Sequence, residues 1–162
     1  MADWPEPVQR VASFLRDAGA EARLEEFPEG TPTAADAARA AGCELGQIVK
    51  SLVFDCDGKP IVACVPGDRR ADRAKVAAAA GASRARVASA DEVERATGFT
   101  PGAVSPFALS TAVHDVLVDH GVLRHEIVWV GAGSPSHIAG IAPAELVRLA
   151  RARPADVVEG GA

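Results

Sequence analysis

The chain has 162 residues, which suits one domain with a real hydrophobic core, and its 48% hydrophobic and 24% charged content is ordinary for a globular protein. No run approaches the roughly 18 apolar residues that cross a bilayer, and the N-terminal residues lack the basic-then-apolar order of a secretory signal. The net charge of −5 excludes a surface that attracts nucleic acid everywhere. These properties predict a single cytoplasmic domain with neither a membrane nor DNA as its partner.

Two helices and a strand are predicted over the first quarter of the chain. Apolar residues at i, i+3, i+4 and i+7 predict a helix with one buried stripe at residues 5–18. A strand is predicted at residues 22–27. Thr33, with Asp36 three residues later, resembles a capping box, which predicts the start of a helix that ends at Gly42.

A β-hairpin with one unusual residue is predicted next. Apolar runs at residues 48–54 and 60–65 flank Asp57-Gly58, a dipeptide that favours a tight turn between antiparallel strands. Side-chain alternation places Lys50 in line with three apolar residues, on the face expected to pack inward. Either its stem lies along apolar surface while the ammonium reaches water, or Lys50 projects into a cavity that holds an anionic or carbonyl group.

The second half of the chain continues the alternation of helices and strands. Its predicted elements are helices at residues 72–80 and 91–97, a glycine-rich and proline-rich loop at 98–107, strands at 113–119 and 125–131, a flexible loop at 131–140 and a closing helix at 142–152. Residues 154–162 are predicted to be a frayed tail. No linker is long enough to split the chain, so the pattern predicts one α/β domain with an antiparallel or mixed sheet.

Two segments are candidates for contacts with a substrate. Gly102 to Pro106 form a G-x-x-x-P stretch, which is either a connecting loop or a pocket wall whose main-chain N–H groups stabilise an oxyanion. A second segment is rich in basic residues and is either a solvated helix face or a patch that contacts phosphates. The basic residues are Arg69, Arg70, Arg73 and Lys75.

Other polar residues give weaker indications of chemistry. Ser134, Ser136 and His137 invite a hydrolase interpretation, but no G-x-S-x-G nucleophile elbow and no histidine–acid spacing support a serine nucleophile. The three cysteines form no C-x-x-C pair, which predicts reduced thiols rather than a metal site.

Several stretches together resemble one known family. They are TAADAARAAGCELGQIVKSLVF, PIVACVPGDRRAD, VASADEVERATGFTPGAVSPFAL, VLVD and VWVGAG, in that order. The chain resembles the YbaK/EbsC family of aminoacyl-tRNA deacylases, which is related to the editing domain of prolyl-tRNA synthetase. The resemblance extends over about residues 8–149 of a single domain at residues 1–162. It implies a compact α/β fold with a curved mixed or antiparallel sheet around a pocket.

The resemblance also implies an activity. It implies hydrolysis of the ester that joins a wrong, small amino acid to the 3′ end of a tRNA such as tRNA-Pro, with no cofactor and no metal. The implied partners are aminoacyl-tRNA and prolyl-tRNA synthetase or another synthetase. A second hypothesis stays open, in which the fold is a noncatalytic module that binds aminoacylated RNA ends, a synthetase or a nucleotide-like small molecule.

The resemblance assigns roles to individual residues. Lys50 matches the signature lysine and Gly102 begins the G-x-x-x-P loop, so these two are the implied catalytic residues. The implied substrate-binding residues are Ser105, Pro106, Asp119, Gly131, Ala132 and Gly133. The histidine of the alanine-specific branch falls at Ala132 by register, with His137 nearby, and no branch is assigned. The basic residues from Arg69 to Lys75 would contact the tRNA.

Overall fold

The structure is a computed structural model that describes residues 3–160. Within that range, the helices are α1 (Glu6–Asp17), α2 (Ala34–Ala41), α3 (Arg73–Ala80), α4 (Ala90–Thr97) and α5 (Pro143–Ala150). The strands are β1 (Ala22–Glu26), β2 (Val49–Cys56), β3 (Lys59–Pro66), β4 (Ala85–Val87), β5 (Asp115–Asp119), β6 (Val128–Ser134), β7 (His137–Ile141) and β8 (Arg153–Ala155). No described helix is long and apolar enough to cross a membrane.

The strands form two sheets that meet at one corner. The first is antiparallel with the order β1-β7-β6, and the second is mixed with the order β4-β2-β3-β5-β8. In the second sheet β3, β5 and β8 run parallel, whereas β4, β2 and β3 are antiparallel. A parallel bridge between Ile48 and Trp129 joins the start of β2 to β6. The predicted α/β fold is confirmed, with one antiparallel and one mixed sheet in place of the single sheet that the sequence suggested.

Local capping signals place the helices where the sequence predicts them. The Thr33 hydroxyl accepts the Asp36 N–H at 3.1 Å, and Gly42 ends α2 in the left-handed conformation at φ 69°. α3 and α4 likewise follow Asp72 and Ser89 caps and end at glycines with positive φ. The predicted hairpin is also confirmed, with Asp57 and Gly58 both at positive φ between β2 and β3.

Strand β2 is covered on both faces rather than on one. Val49 and Val53 belong to the main core, which also contains residues of β6 and β7. Phe54 and Cys56 point to the other face and pack in a second core with Val76 of α3. Lys50 lies on the same face as Phe54 and Cys56, so its alignment with apolar residues is confirmed. Every residue of β2 is buried or half-buried.

Two predicted irregular segments are instead ordered strands. Residues 131–140, predicted as a flexible loop, contain the end of β6 and most of β7, because β7 pairs with β1 on one side and β6 on the other. Residues 154–158, predicted as frayed, include β8 and bury Val157 and Val158, which are 0% and 2% exposed. Residues 161 and 162 lie outside the described residues. The short edge strand β4 was not predicted.

Candidate active site

A cavity lies beside the bridge between Ile48 and Trp129, and both of these residues line it. It has a volume of about 270 Å³. Its wall is formed by residues 31–34, 48–52, 102, 104, 129–131, 134, 135, 137 and 138, with Ala37 of α2. Lys50, Gly102 and Gly131 therefore line one cavity, although they come from distant parts of the chain. These are three of the site residues that the sequence suggested.

Lys50 lies on β2 at the edge of this cavity and is half-buried. Its Nζ donates a hydrogen bond to the main-chain carbonyl of Arg69 at 2.7 Å. Burial lowers the pKa of the ammonium, the positive charge of Arg70 lowers it further, and Asp68 partly offsets both. An ammonium has three N–H donors, so this group can still donate to a ligand in the cavity.

The main chain of β2 also faces the cavity. The Ile48 carbonyl accepts the Gly67 N–H at 2.6 Å, which makes Ile48 part of a hydrogen-bonded antiparallel pair. Because such pairs alternate along a strand, the N–H and C=O of Ser51 point away from β3. Ser51 itself lines the cavity, and its buried hydroxyl lies across β2 and β3 from the Cys64 thiol, where its interaction partly offsets the rise that burial causes in the pKa of Cys64. No pattern in the sequence distinguished this serine from others.

The G-x-x-x-P loop meets the end of β6 at very short range. Gly102 has φ 81°, a conformation that glycine adopts without strain, and it lines the cavity. A Cβ on Gly131 would lie 2.5 Å from the carbonyl oxygen of Val104. Only glycine therefore permits this contact between the two walls of the cavity.

The other loop residues implied by the resemblance do not line the cavity. Ser105 is fully buried, and its Oγ accepts the Phe107 N–H at 3.1 Å, so it fixes the turn of the loop. Pro106 is buried beside it. Ala132 is fully buried in the main core, and Gly133 packs so closely on the Pro7 main chain that a Cβ would lie 2.8 Å away. These residues therefore pack in the interior next to the cavity walls and support them.

Asp119 does not line the cavity either. It is 4% exposed at the end of β5, and its carboxylate accepts the N–H groups of Gly121 at 2.8 Å and Val157 at 3.0 Å. The two oxygens of its carboxylate hold the following turn and the C-terminal segment, and a contact between Asp119 and the substrate stays a prediction.

The basic group of four residues is divided between two roles. The Lys75 ammonium bonds the Asp156 carboxylate and the Val158 carbonyl, and the Arg69 guanidinium donates to the Glu159 carbonyl at 2.6 Å. These two side chains hold the C-terminal segment instead of forming an open patch. The remaining two, Arg70 and Arg73, are exposed.

A row of three polar side chains crosses the antiparallel sheet at the cavity wall. His137 is 1% exposed, and its Nδ1 lies 2.5 Å from Ser134 Oγ. Its Nε2 lies 3.4 Å from a Glu26 carboxylate oxygen, within ion-pair range but without hydrogen-bond geometry. Burial lowers the pKa of His137 and Glu26 partly offsets this, so the imidazole is neutral at pH 7. The sequence singled out Ser134 and His137 but not their alignment with Glu26, because residues 131–140 were predicted as a loop.

A larger depression lies on the outer side of residues 27–40 and has a volume of about 650 Å³. Its charged side chains include Asp36 and Arg39, which pair with each other. It contains none of the residues that the sequence suggested for the site. The smaller cavity at Lys50 is therefore the candidate active site, because it combines a half-buried cation with glycine-lined walls and buried polar side chains.

Comparisons with known proteins identify the family of the chain. Residues 28–149 match the family described as the aminoacyl-tRNA editing domain. The uncharacterized protein YwhH of Bacillus subtilis (strain 168) is 33% identical over 126 residues, which cover 76% of this chain and 78% of that protein. The proline--tRNA ligase of Maridesulfovibrio salexigens is 30% identical over 105 residues, which cover 65% of this chain and only 18% of the ligase.

A solved structure is similar over almost the whole length. It is described as a candidate trans-editing enzyme for prolyl tRNA synthetase, and it superposes with a TM-score of 0.90 at 34% sequence identity. The similarity covers 98% of this chain and 100% of the other.

Proposed function

The chain belongs to the aminoacyl-tRNA editing domain family, and from that premise we propose that it is a deacylase, which hydrolyses the ester between a wrong amino acid and the 3′ end of a tRNA. The observation that carries the proposal is that Lys50 and Gly102 line one cavity. Lys50 brings a positive charge and Gly102 brings a main chain that a ligand can approach closely. Both features suit an aminoacyl-tRNA, because the cation can meet the ester carbonyl or the terminal phosphate of the tRNA and the glycine-lined wall can fit a small acyl group.

In the proposed reaction a water molecule attacks the ester carbonyl carbon. The C–O bond to the ribose breaks, the tRNA hydroxyl takes up a proton, and the free amino acid leaves. Lys50 lies where its ammonium can meet the negative charge that develops on the carbonyl oxygen or the charge of the terminal phosphate. Positioning and carbonyl polarisation supply the acceleration, because an aminoacyl ester is already an activated acyl group. No side chain acts as a nucleophile in this scheme.

The size of the cavity supports a small amino acid as the acyl group. Its volume of about 270 Å³ lies just below the range of roughly 300–1,000 Å³ that is usual for pockets of drug-sized ligands. The contact between Gly131 and Val104 fixes the distance between two of its walls. A pocket that excludes larger side chains is a useful second sieve, because synthetases discriminate weakly between small amino acids.

The identity of the tRNA is a finer part of the proposal. We extend it to tRNA-Pro, since the similar proteins include proline--tRNA ligases and a candidate trans-editing enzyme for prolyl tRNA synthetase. Arg70 and Arg73 remain exposed and are the proposed contacts for phosphates of the acceptor end, with a synthetase as a further partner. Such a substrate places the reaction in the cytoplasm.

The proposal is tested with a panel of tRNAs charged with alanine, cysteine, serine and proline. Wild type is compared with Lys50→Met, which keeps the stem and removes the charge, and with Lys59→Met as a matched control. Lys59 is exposed at the end of the β2–β3 hairpin. We expect hydrolysis of one or more noncognate esters, a loss of roughly 10²–10³-fold in kcat/KM for Lys50→Met, and no loss for Lys59→Met.

Two results would contradict the proposal. An unchanged kcat/KM in Lys50→Met would exclude the Lys50 charge from the reaction. Tight binding of charged tRNA by wild type, with no turnover of any ester, would favour the noncatalytic binding module instead.

A further inference from the structure

Lys50 depends on a loop for its position. We use "anchoring loop" for residues 66–72, which include the carbonyl that accepts the Lys50 hydrogen bond. On its inner side, the Gly67 N–H donates to Ile48, and a Cβ on Gly67 would lie 2.6 Å from the Leu45 carbonyl oxygen. The loop therefore packs tightly against the segment before β2, and its main chain is close to Lys50.

The outer side of the anchoring loop is covered by the end of the chain. We use "tail" for residues 156–159. The Asp72 N–H donates to the Val157 carbonyl and the Glu159 N–H donates to the Arg70 carbonyl, both at 2.8 Å. Ala71 and Val158 form an antiparallel bridge between these two bonds. The tail thus pairs with the loop as a short additional strand.

The tail is itself fixed from two other elements. The Lys75 ammonium, on α3, bonds the Asp156 carboxylate and donates to the Val158 carbonyl at 2.8 Å. The Asp119 carboxylate, at the end of β5, accepts the Val157 N–H at 3.0 Å. Contacts therefore run from α3 and β5 through the tail and the anchoring loop to the ammonium of Lys50.

We infer that the tail is a positioning element of the lysine site, which holds the anchoring loop where the Arg69 carbonyl fixes the Lys50 ammonium at the cavity. The catalytic part of this inference rests on the proposed deacylase function. Lys75 is then a positioning residue that acts through the tail, not a contact for tRNA. Removing the Lys75 ammonium removes its bonds to Asp156 and Val158 in the tail. The anchoring loop then loses part of its support, and the Lys50 ammonium shifts from its position at the Arg69 carbonyl.

The test uses the full chain labelled with ¹³C at lysine Cε. The sequence contains three lysines, Lys50, Lys59 and Lys75, so each signal is assigned from the variant in which it disappears. The variants are Lys75→Met, Lys75→Met with Val158→Ala, Lys75→Arg as the conservative rescue, and Lys59→Met as the control. The Lys50 signal and its titration are followed by NMR, and deacylation is measured below all the melting temperatures.

We expect the Lys50 signal to shift in Lys75→Met, to shift further in the double variant, and to stay unchanged in Lys75→Arg and Lys59→Met. Deacylation should fall roughly 10- to 100-fold in Lys75→Met, because a misplacement of about 1 Å has that cost. Its dependence on pH should move with the Lys50 titration. If the loss came only from unfolded protein, the deacylation rate would fall by the same factor at every pH, and the pH dependence would be unchanged.

The outcomes separate this inference from the proposed function. An unchanged Lys50 signal in both Lys75→Met variants overturns the inference, and so does a shifted signal with unchanged kcat/KM. If the wild type hydrolyses no ester while the Lys50 signal still responds to Lys75→Met, the positioning holds and the deacylase proposal fails.

Discussion

The distance between the two glycine-lined walls can be changed by one methyl group. In Gly131→Ala the new Cβ would lie 2.5 Å from the Val104 carbonyl oxygen, whereas ordinary contact begins at 3.4 Å. The difference between these distances, 0.9 Å, is the displacement that one wall must accept. Both residues line the cavity, so the displacement changes its shape directly. A shift of about 1 Å at a reacting site costs on the order of 10²-fold in rate.

The same substitution also affects stability, and the assay has to separate the two effects. Overpacking of this kind costs about 1–3 kcal/mol, which for a chain of this size lowers Tm by roughly 2–12 °C. We therefore expect a loss of about 10- to 100-fold in kcat/KM for deacylation, measured below the Tm of the variant. The measurement is initial rates of hydrolysis of the preferred mischarged tRNA.

Gly58→Ala is the matched control for this experiment. Gly58 has φ 88° in the β2–β3 turn, and a Cβ there meets no atom within 4 Å, so alanine adds backbone strain without a clash. It should lower Tm while kcat/KM is retained. If Gly131→Ala keeps the kcat/KM of Gly58→Ala, the position of the Val104 carbonyl has no role in the reaction, and the argument from the cavity walls is refuted.

Two further predictions concern charge at the cavity. The lowered pKa of Lys50 predicts that hydrolysis above the uncatalysed background falls as the ammonium deprotonates, with a midpoint below the ordinary lysine value of about 10.4. Arg70→Ala should move this midpoint to higher pH in rapid-quench rate measurements, because it removes a positive charge that lowers the pKa of Lys50. An unchanged midpoint in Arg70→Ala would contradict this cause. Arg70→Ala should also lower the slope of log affinity for charged tRNA against log salt by about 1. The control is Arg84→Ala, which should leave the slope unchanged, because Arg84 is exposed just before β4, where Ala85 pairs with Cys56 at the far end of β2, roughly 20 Å from Lys50. Equal slopes in both variants would remove Arg70 from the interface.

The parts of the fold that the sequence predicted are those set by local interactions. Thr33 caps α2 through a residue three positions away, and Asp57-Gly58 needs no distant partner to form its turn. β7 lacks such a signal, because its strand conformation depends on pairing with β1 and β6, which flank it in space. A polar, glycine-containing segment such as SPSHIAG therefore looks like a loop until its partners are known.

The candidate site divides in the same way. Lys50 stood out because a cation in line with apolar residues conflicts with the local pattern, and such conflicts often mark functional positions. The basic residues could not be sorted from sequence, since the partners of Lys75 and Arg69 lie 81 to 90 positions away along the chain. The structural bonds of Asp119 could not be predicted for a similar reason, because one of them comes from Val157, 38 residues later.

The environment of Lys50 is itself an argument for function. Its stem lies on a strand whose two faces are packed, its ammonium is partly removed from water, and the positive charge of Arg70 acts against its charged form. Within residues 3–160, the Arg69 carbonyl is the one hydrogen-bond acceptor of that ammonium. A methionine of similar length would fill the space without the desolvation cost, so stability alone does not account for a lysine here. The arrangement becomes favourable when an anion or a developing oxyanion enters the cavity and meets the donors that Arg69 leaves available.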